Sequence, residues 1–271
     1  MSDNIVTPRL ASTVMLLRDS AADGIEVFMQ VRNRDIAFAG GALVFPGGSM
    51  DGDDRKIAAA RHRTCDAAAA ALDETALAFR VTAIRETFEE CGILLAARRG
   101  ASGLVTGMET ADISARHGPA LGDGSLAFSE FLAREDLVLE TSSLVHFAHW
   151  ITPLDRPKRF DTHFFAAVAP ADQLAAHDGG EAVDSVWIAP ARAVAETDAG
   201  RYKLVFATRM NLRKLAEHAD AEAALAAARG WQVVSITPQM FKAETGQRMI
   251  RIPAEAGYGG DVFVMIDPPA M

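Results

Sequence analysis

The segment RETFEECGI, residues 85–93, places three glutamates within five positions and then turns apolar. At about 100° per residue, Glu86, Glu89 and Glu90 share an arc of about 100°, while Val81, Ile84, Phe88, Cys91 and Leu95 gather within about 40° of the opposite pole. The spacing predicts a helix over 81–97 that buries one face and turns three carboxylates the other way. Like charges so close on a helix repel, and no lysine in the arc compensates them. Two readings compete. The arc is a solvated helix face, or it surrounds a cation. Arg85 lies beside it, where it can pair with one carboxylate and hold its rotamer. Gly92 allows close approach by another segment, and a Pro-Gly-Gly turn, 46–48, stands upstream at the end of a short apolar run. Hard divalent cations such as Mg²⁺ take a few carboxylates together with water and phosphate oxygens, so this arrangement favours the cation.

The rest of the 271 residues bounds the answer. That length suffices for a substantial buried core. A formal net charge of −9 argues against a broad grip on nucleic acid or an anionic membrane. The two cysteines, Cys65 and Cys91, are too few for a disulfide scaffold. With neither a basic-then-apolar leader nor an apolar stretch long enough to span a bilayer, the expectation is a soluble cytoplasmic protein. Residues 11–17 and 25–31 read as strands joined by a hairpin, and 43–45 as a short strand ending at Pro46. Residues 55–80 read as alanine-rich helix, 98–125 as glycine-rich loop with at most a short helix, and 128–136 as helix. Strand patterns return at 144–151, 162–169 and 185–189, with later ones at 231–236 and 261–266. Helical patterns occupy the segment from Pro190 and the run from Thr208 to Arg229. Strands alternating with helices predict an α/β chain.

RETFEECGI resembles the second half of the Nudix box, G-x5-E-x7-R-E-U-x-E-E-x-G-U, where U is aliphatic or bulky. Arg85, Glu86, Glu89, Glu90, Gly92 and Ile93 match, while Thr87 stands where a bulky apolar residue is usual. FPGGSMDGDD resembles the first half, with Gly48 as the opening glycine and Asp54 in place of the glutamate. Thirty residues, 55–84, separate Asp54 from Arg85, about 23 more than the box allows. Such an insertion can bulge outward while Gly48 and the helix keep their places. A long spacer of this kind, with GALVFPGGSMD (41–51), RFDTHFFAAVAP (159–170) and GGEAVDSVWIAPARAV (179–194), is similar to the Nudix branch of the peroxisomal coenzyme A diphosphatases and their bacterial relatives. The likeness runs over most of residues 10–217.

The resemblance implies a Nudix α/β/α sandwich with a mixed sheet. It implies one domain over 1–271, with helical insertions at about 55–80 and 98–140 and a C-terminal extension at about 218–271. It implies metal-dependent hydrolysis of a nucleoside diphosphate linked to another group, with coenzyme A or acyl-coenzyme A cut into 3′,5′-ADP and a 4′-phosphopantetheine product. ADP-ribose, NADH or a nucleotide sugar is the alternative substrate, and a nucleotide sensor without turnover the alternative of another class. Glu86, Glu89 and Glu90 would hold Mg²⁺ or Mn²⁺, with the Gly48 carbonyl as a further ligand, and Arg85 would orient a glutamate. Glu86 or a carboxylate of loop 178–184, Glu181 before Asp184, would take the water's proton. The partner is a small nucleotide, not nucleic acid or membrane, and a homodimer stays open.

Other candidates carry plainer readings beside the functional ones. Arg32 and Arg34, with the turn glycines Gly47 and Gly48, could hold phosphates, or the two arginines could be a solvated strand end. Arg159 and Asp161 read as a structural ion pair. His163 reads as structural, Cys91 as core, and Trp150 and Trp187 as core packing rather than adenine platforms.

Overall fold

A computed structural model describes residues 6–32, 41–64, 71–173, 175 and 182–265. The first strands, β1 (Arg9–Ser20) and β2 (Gly24–Arg32), form an antiparallel hairpin with Ser20 opposite Gly24. β3 (Leu43–Val44) pairs with β2, and β4 (Gly47–Ser49) pairs with the opening half of β1. Two helices follow, α1 (Gly52–Ala59) and α2 (Glu74–Cys91), then β5 (Ala96–Arg98), α3 (Gly107–Gly122), α4 (Phe128–Arg134) and β6 (Leu137–Leu139). The chain re-enters the main sheet with β7 (Val145–Ile151), β8 (Phe160–Val168) and β9 (Ala182–Ile188). It closes with α5 (Pro190–Asp198), α6 (Phe206–Leu215), α7 (Ala221–Arg229), β10 (Ser235–Ile236), β11 (Gln239–Lys242), β12 (Arg248–Arg251) and β13 (Val262–Val264).

The main sheet runs β10-β7-β8-β1-β2-β3, with β4 joining β1 and β9 joining β2. β1 and β8 are parallel, as are β7 and β10, and the other pairings are antiparallel, so the sheet is mixed. The run VMLL in β1 is buried on both faces, as apolar runs in covered sheets are. Val14 and Leu16 join a core cluster with α1, α2, α3 and α4, whereas Met15 and Leu17 join one with α5, α6 and α7. That is the expected sandwich, a mixed sheet between two helical layers. Among the described residues, no helix is long and apolar enough to cross a membrane.

The helix expected over 81–97 is displaced toward its N-terminus. It begins at Glu74, capped by the Asp73 side chain, and ends at Cys91, because Gly92 adopts the left-handed conformation (φ 69°). Leu95 is buried beyond the helix, and residues 96–98 pair with β6 instead. Across 81–91 only Glu86, Glu89 and Glu90 escape full burial. Fully burying an aliphatic or aromatic side chain such as Val81, Ile84 or Phe88 contributes about 1.5–3 kcal/mol, which anchors the helix on the sheet.

Other expectations need correction. The glycine-rich stretch 98–125 holds the 16-residue helix α3, set by a capping box between Thr106 and Glu109. The helix expected from Thr208 to Arg229 is two, since Asp220 starts a new one by accepting from the Ala223 N–H. The strand expected at 231–236 is confined to β10, and β11 and β12 were not signalled by the sequence. Cys65 lies outside the described residues, Cys91 is core as expected, and Trp150 is buried but also lines a cavity.

Candidate active site

The acidic helix meets the Pro-Gly-Gly turn through β4. Gly47 donates its N–H to Glu90 Oε2 at 2.9 Å, and Gln30 holds the Glu90 carbonyl at 3.1 Å. An added Cβ at Gly47 would overlap the Ser12 carbonyl and Thr13. One at Gly48 would lie 2.5 Å from the Glu86 carboxylate. Only glycines let β4 press this closely on both β1 and the acidic helix.

Arg85 and Asp54 organise the carboxylates. Asp54, fully buried, accepts from Arg85 Nε and Nη2 at 2.9 Å each, a paired fork that fixes the guanidinium plane. It also accepts from the Thr82 hydroxyl at 2.8 Å and closes the α1 capping box by accepting from the Asp51 N–H at 3.1 Å. Arg85 Nη1 then reaches Glu86 and Glu89, at 2.9 Å each, and Nη2 donates to the Ser49 carbonyl at 3.0 Å. The spacer after Asp54 therefore leaves the box geometry in place. It carries α1 and prolongs the acidic helix upstream, and Asp54 still faces Arg85.

Burial dominates the electrostatics. The side chains of Glu86 and Glu89 are 13% and 24% exposed, so the arc is not the open solvated face that its opposition to the apolar stripe suggests. Burial pushes Glu86 up to about 7, with Arg85 pulling the other way and Glu89 adding to the rise. Burial raises Glu89 as well, again opposed by Arg85. For Arg85 itself burial works against the charge, but the hydrogen bonds to Asp54 and the charges of Glu86, Asp54 and Glu89 outweigh it and hold the group above its ordinary value. One guanidinium thus pairs with three carboxylates, Asp54, Glu86 and Glu89, and Glu90 stands beside them on the Gly47 N–H. Three oxygen-bearing side chains in acidic excess fit a hard divalent cation.

Beside this cluster lies a cavity of about 820 Å³, reached by Gly47 and Phe45. Its lining holds six cations, Arg32, Arg156, Lys158, Lys203, Arg209 and Arg213, and among the described residues no Asp or Glu. The rest of the wall is largely apolar and includes Phe206, Ile250, Phe263 and Met265, so the C-terminal strands close it. Sequence reading named Arg32 alone of these six. The weak signal for the others is Arg209 and Arg213, one helical turn apart on α6.

Arg34 and Glu181 lie outside the described residues. Asp184, expected in a loop, sits exposed within β9 opposite Val31, its carboxylate accepting from the Ser185 N–H. The Arg159–Asp161 pair does not form. Arg159 donates to the Thr152 and Val6 carbonyls, at 3.1 and 2.7 Å, and Asp161 takes His149 instead. Trp187 is half-buried, edge-on to Phe28, with Arg18 4.3 Å above its ring. Thr82 and Gln30, both part of the supporting network, were missed because no spacing marks them, and Asp51, the last residue of the quoted segment 41–51, was given no role.

The family profile described as the NUDT19 Nudix domain matches residues 55–204. A Caenorhabditis elegans relative that carries the name nudix hydrolase 7 is 28% identical over 178 residues, which cover 66% of this chain and 51% of that protein. The chain therefore matches about half the length of that relative. The crystal structure of a Nudix hydrolase from Alicyclobacillus acidocaldarius is similar at a TM-score of 0.65 and 28% identity, covering 82% of this chain and 96% of its own.

Proposed function

The chain belongs to the Nudix family, matching its NUDT19 Nudix domain, and from that premise we propose that residues 1–271 act as one metal-dependent pyrophosphohydrolase on coenzyme A or acyl-coenzyme A. The cavity carries the reading. Six cations line it with no described carboxylate in the wall, and although Arg209 also pairs with Asp198 and Arg156 with Asp155, in a chain of net charge −9 they support a local anion site beside the acidic cluster. A diphosphate with a further 3′-phosphate suits those cations. The apolar wall of β12, β13 and α6 suits a long, weakly polar arm such as pantetheine with an acyl group.

In this reading Glu86, Glu89 and Glu90, with the Gly48 carbonyl, would hold Mg²⁺ or Mn²⁺, which would supply charge neutralisation at the diphosphate and lower the pKa of the attacking water. Asp54 locks Arg85, and Arg85 sets the rotamers of Glu86 and Glu89. Gly47 fixes Glu90 through its N–H. Arg32, Arg34 and their fellow cations orient the phosphates. Water adds to one phosphorus, the bridging P–O bond breaks, and the departing phosphate keeps the electron pair. Glu86 or Glu181 takes the water's proton.

The test is hydrolysis across coenzyme A, acetyl- and longer acyl-coenzyme A, ADP-ribose and NADH with Mg²⁺ or Mn²⁺, products identified by mass. Release of 3′,5′-ADP from the coenzyme A set supports the proposal. Cleavage of ADP-ribose or NADH alone keeps the chemistry and discards the substrate. Binding without products from any of them would make the chain a nucleotide sensor.

A further inference from the structure

A second set of ligand-type side chains lies on the opposite face of the sheet from the cavity. Side chains alternate along a strand. On β8, Thr162 and Phe164 line the cavity, so Asp161, His163 and Phe165 turn toward α2. β7 lays His149 opposite His163, and a register shift between His146 and Ala148 brings His146 opposite Phe165, on that same face. β10 adds Ser235 opposite His149.

These groups converge. His149, Asp161 and His163 each offer a ligand atom within 4.8 Å of those of the other two. His149 Nε2 donates to Asp161 Oδ1 at 2.5 Å, and the Ser235 hydroxyl donates to His149 Nδ1 at 2.7 Å. His163 Nδ1 lies 3.0 Å from His146 Nε2. The rings stack, His149 on His163 at 4.1 Å and His163 under Phe79 at 3.9 Å between centroids.

We propose that His149, Asp161 and His163 form a binding site for a zinc-type divalent ion, distinct from the acidic centre on α2. Two imidazoles and one carboxylate are an established zinc set, and tetrahedral ligands at such bond lengths stand about 3.3 Å apart. That spacing falls inside the 2.5–4.8 Å range shown here, so small rotations of the three side chains close the site. Each imidazole also has an outer partner on one ring nitrogen, Ser235 for His149 and His146 for His163. For an ion to take Nε2, His149 must shift its proton to Nδ1 and donate it to the Ser235 hydroxyl, the outer-partner bond that fixes tautomer and ring plane in metal-bound histidines. Arg80 is the nearby cation that opposes an ion here. Its guanidinium is engaged by the Leu144 and Thr141 carbonyls and the Phe165 ring, and Asp161 offsets it.

The ion would clip β7 to β8 beneath the first turns of α2. Phe79, which covers His163, precedes Glu86 by seven residues, about 10 Å of helix rise. Imidazole nitrogens select against Mg²⁺ and for zinc-type ions, which separates this site from the carboxylates chemically as well.

The test uses the full chain, stripped with chelator and titrated with Zn²⁺ by calorimetry in excess Mg²⁺, with Co²⁺ absorption as a second readout. One Zn²⁺ per chain, a raised melting temperature and the visible bands of a four-coordinate Co²⁺ site are expected. Asp161→Asn, nearly isosteric, should weaken Zn²⁺ at least tenfold, His163→Ala should abolish it, and Glu89→Gln should leave it unchanged. If His163→Ala fails to fold, Asp161→Asn decides. No bound Zn²⁺, equal binding by Asp161→Asn, or loss with Glu89→Gln would each overturn the site and reduce these residues to a stacked, hydrogen-bonded ladder.

Discussion

Replacing Asp54 by asparagine is the sharpest probe of how the acidic helix is organised. Asp54 is fully buried and accepts from four donors, two on Arg85 and one each on Thr82 and Asp51. Its Oδ2 alone receives three of them. An amide oxygen at that position keeps those three but points its NH₂ at Arg85 Nε, donor against donor; turned over, it confronts three donors. Either way the guanidinium loses its buried counter-charge. Breaking such a pair costs about 3–5 kcal/mol, and because Arg85 retains Glu86 and Glu89 the lower end applies. About 3 kcal/mol in a chain of this size lowers Tm by roughly 6–12 °C. Arg85 then no longer fixes the two glutamates, so kcat should fall by more than about tenfold, since misplacement by 1 Å can cost a hundredfold. Scanning calorimetry and steady-state kinetics, with the exposed turn residue changed as Asp23→Asn for comparison, measure both. A variant that melts within about 2 °C of the parent and keeps kcat within twofold would refute the chain from Asp54 through Arg85 to the glutamates.

Four further outcomes are expected. Glu89→Gln should lower kcat by roughly 10²–10³, the scale of removing one charge-stabilising group, with circular dichroism unchanged; equal turnover would sink the three-carboxylate argument. Gly48→Ala should leave Tm nearly unchanged, since the end of a flexible side chain moves aside, yet lower kcat about a hundredfold by displacing Glu86. In metal-free protein, His146 and His163 titrate below their ordinary 6.5, at about 4 and about 3. The unfolded chain then binds protons the folded one refuses as pH drops below 6.5, so stability falls with falling pH. From pH 7 to 5 each contributes about 2 kcal/mol of loss, and urea titrations should show a shallower fall for His163→Gln. In native-state hydrogen exchange, β11 and β12 amides should open at lower free energy than those of Val81–Phe88 in α2, because this short ladder stands apart from the main sheet.

What the sequence disclosed follows from which constraints are local. The acidic helix was legible because its period of 3.6 sorts Val81, Ile84, Phe88 and Cys91 from the glutamates within one segment. The β1–β2 hairpin was legible from two apolar runs and a turn. The end of the helix was misread because Leu95 keeps the apolar phase after Gly92 has already broken the backbone. α3 was hidden by Gly107, Gly118 and Gly122, though Thr106 and Glu109 carried its start. The burial of the carboxylates was invisible because β4 covers them from outside the helix, where no helical wheel extends. The cavity cations Lys203 and Arg213 reach one wall only through tertiary folding, as do His149 and His163.

The route by which the chain closes on itself separates the two halves of the candidate site in time. Gly47 and Glu90 are 43 positions apart, whereas the cavity joins Arg32 to Met265, a span about five times longer that costs about 1.4 kcal/mol more to close. Every residue of the acidic centre has been made once Cys91 is added, but the wall of β12 and β13 needs about 170 residues more. At 5–20 residues per second that is an interval of about 10–30 s. A ribosome-bound chain therefore carries every residue of the charge cluster well before it has those of the chamber beside it.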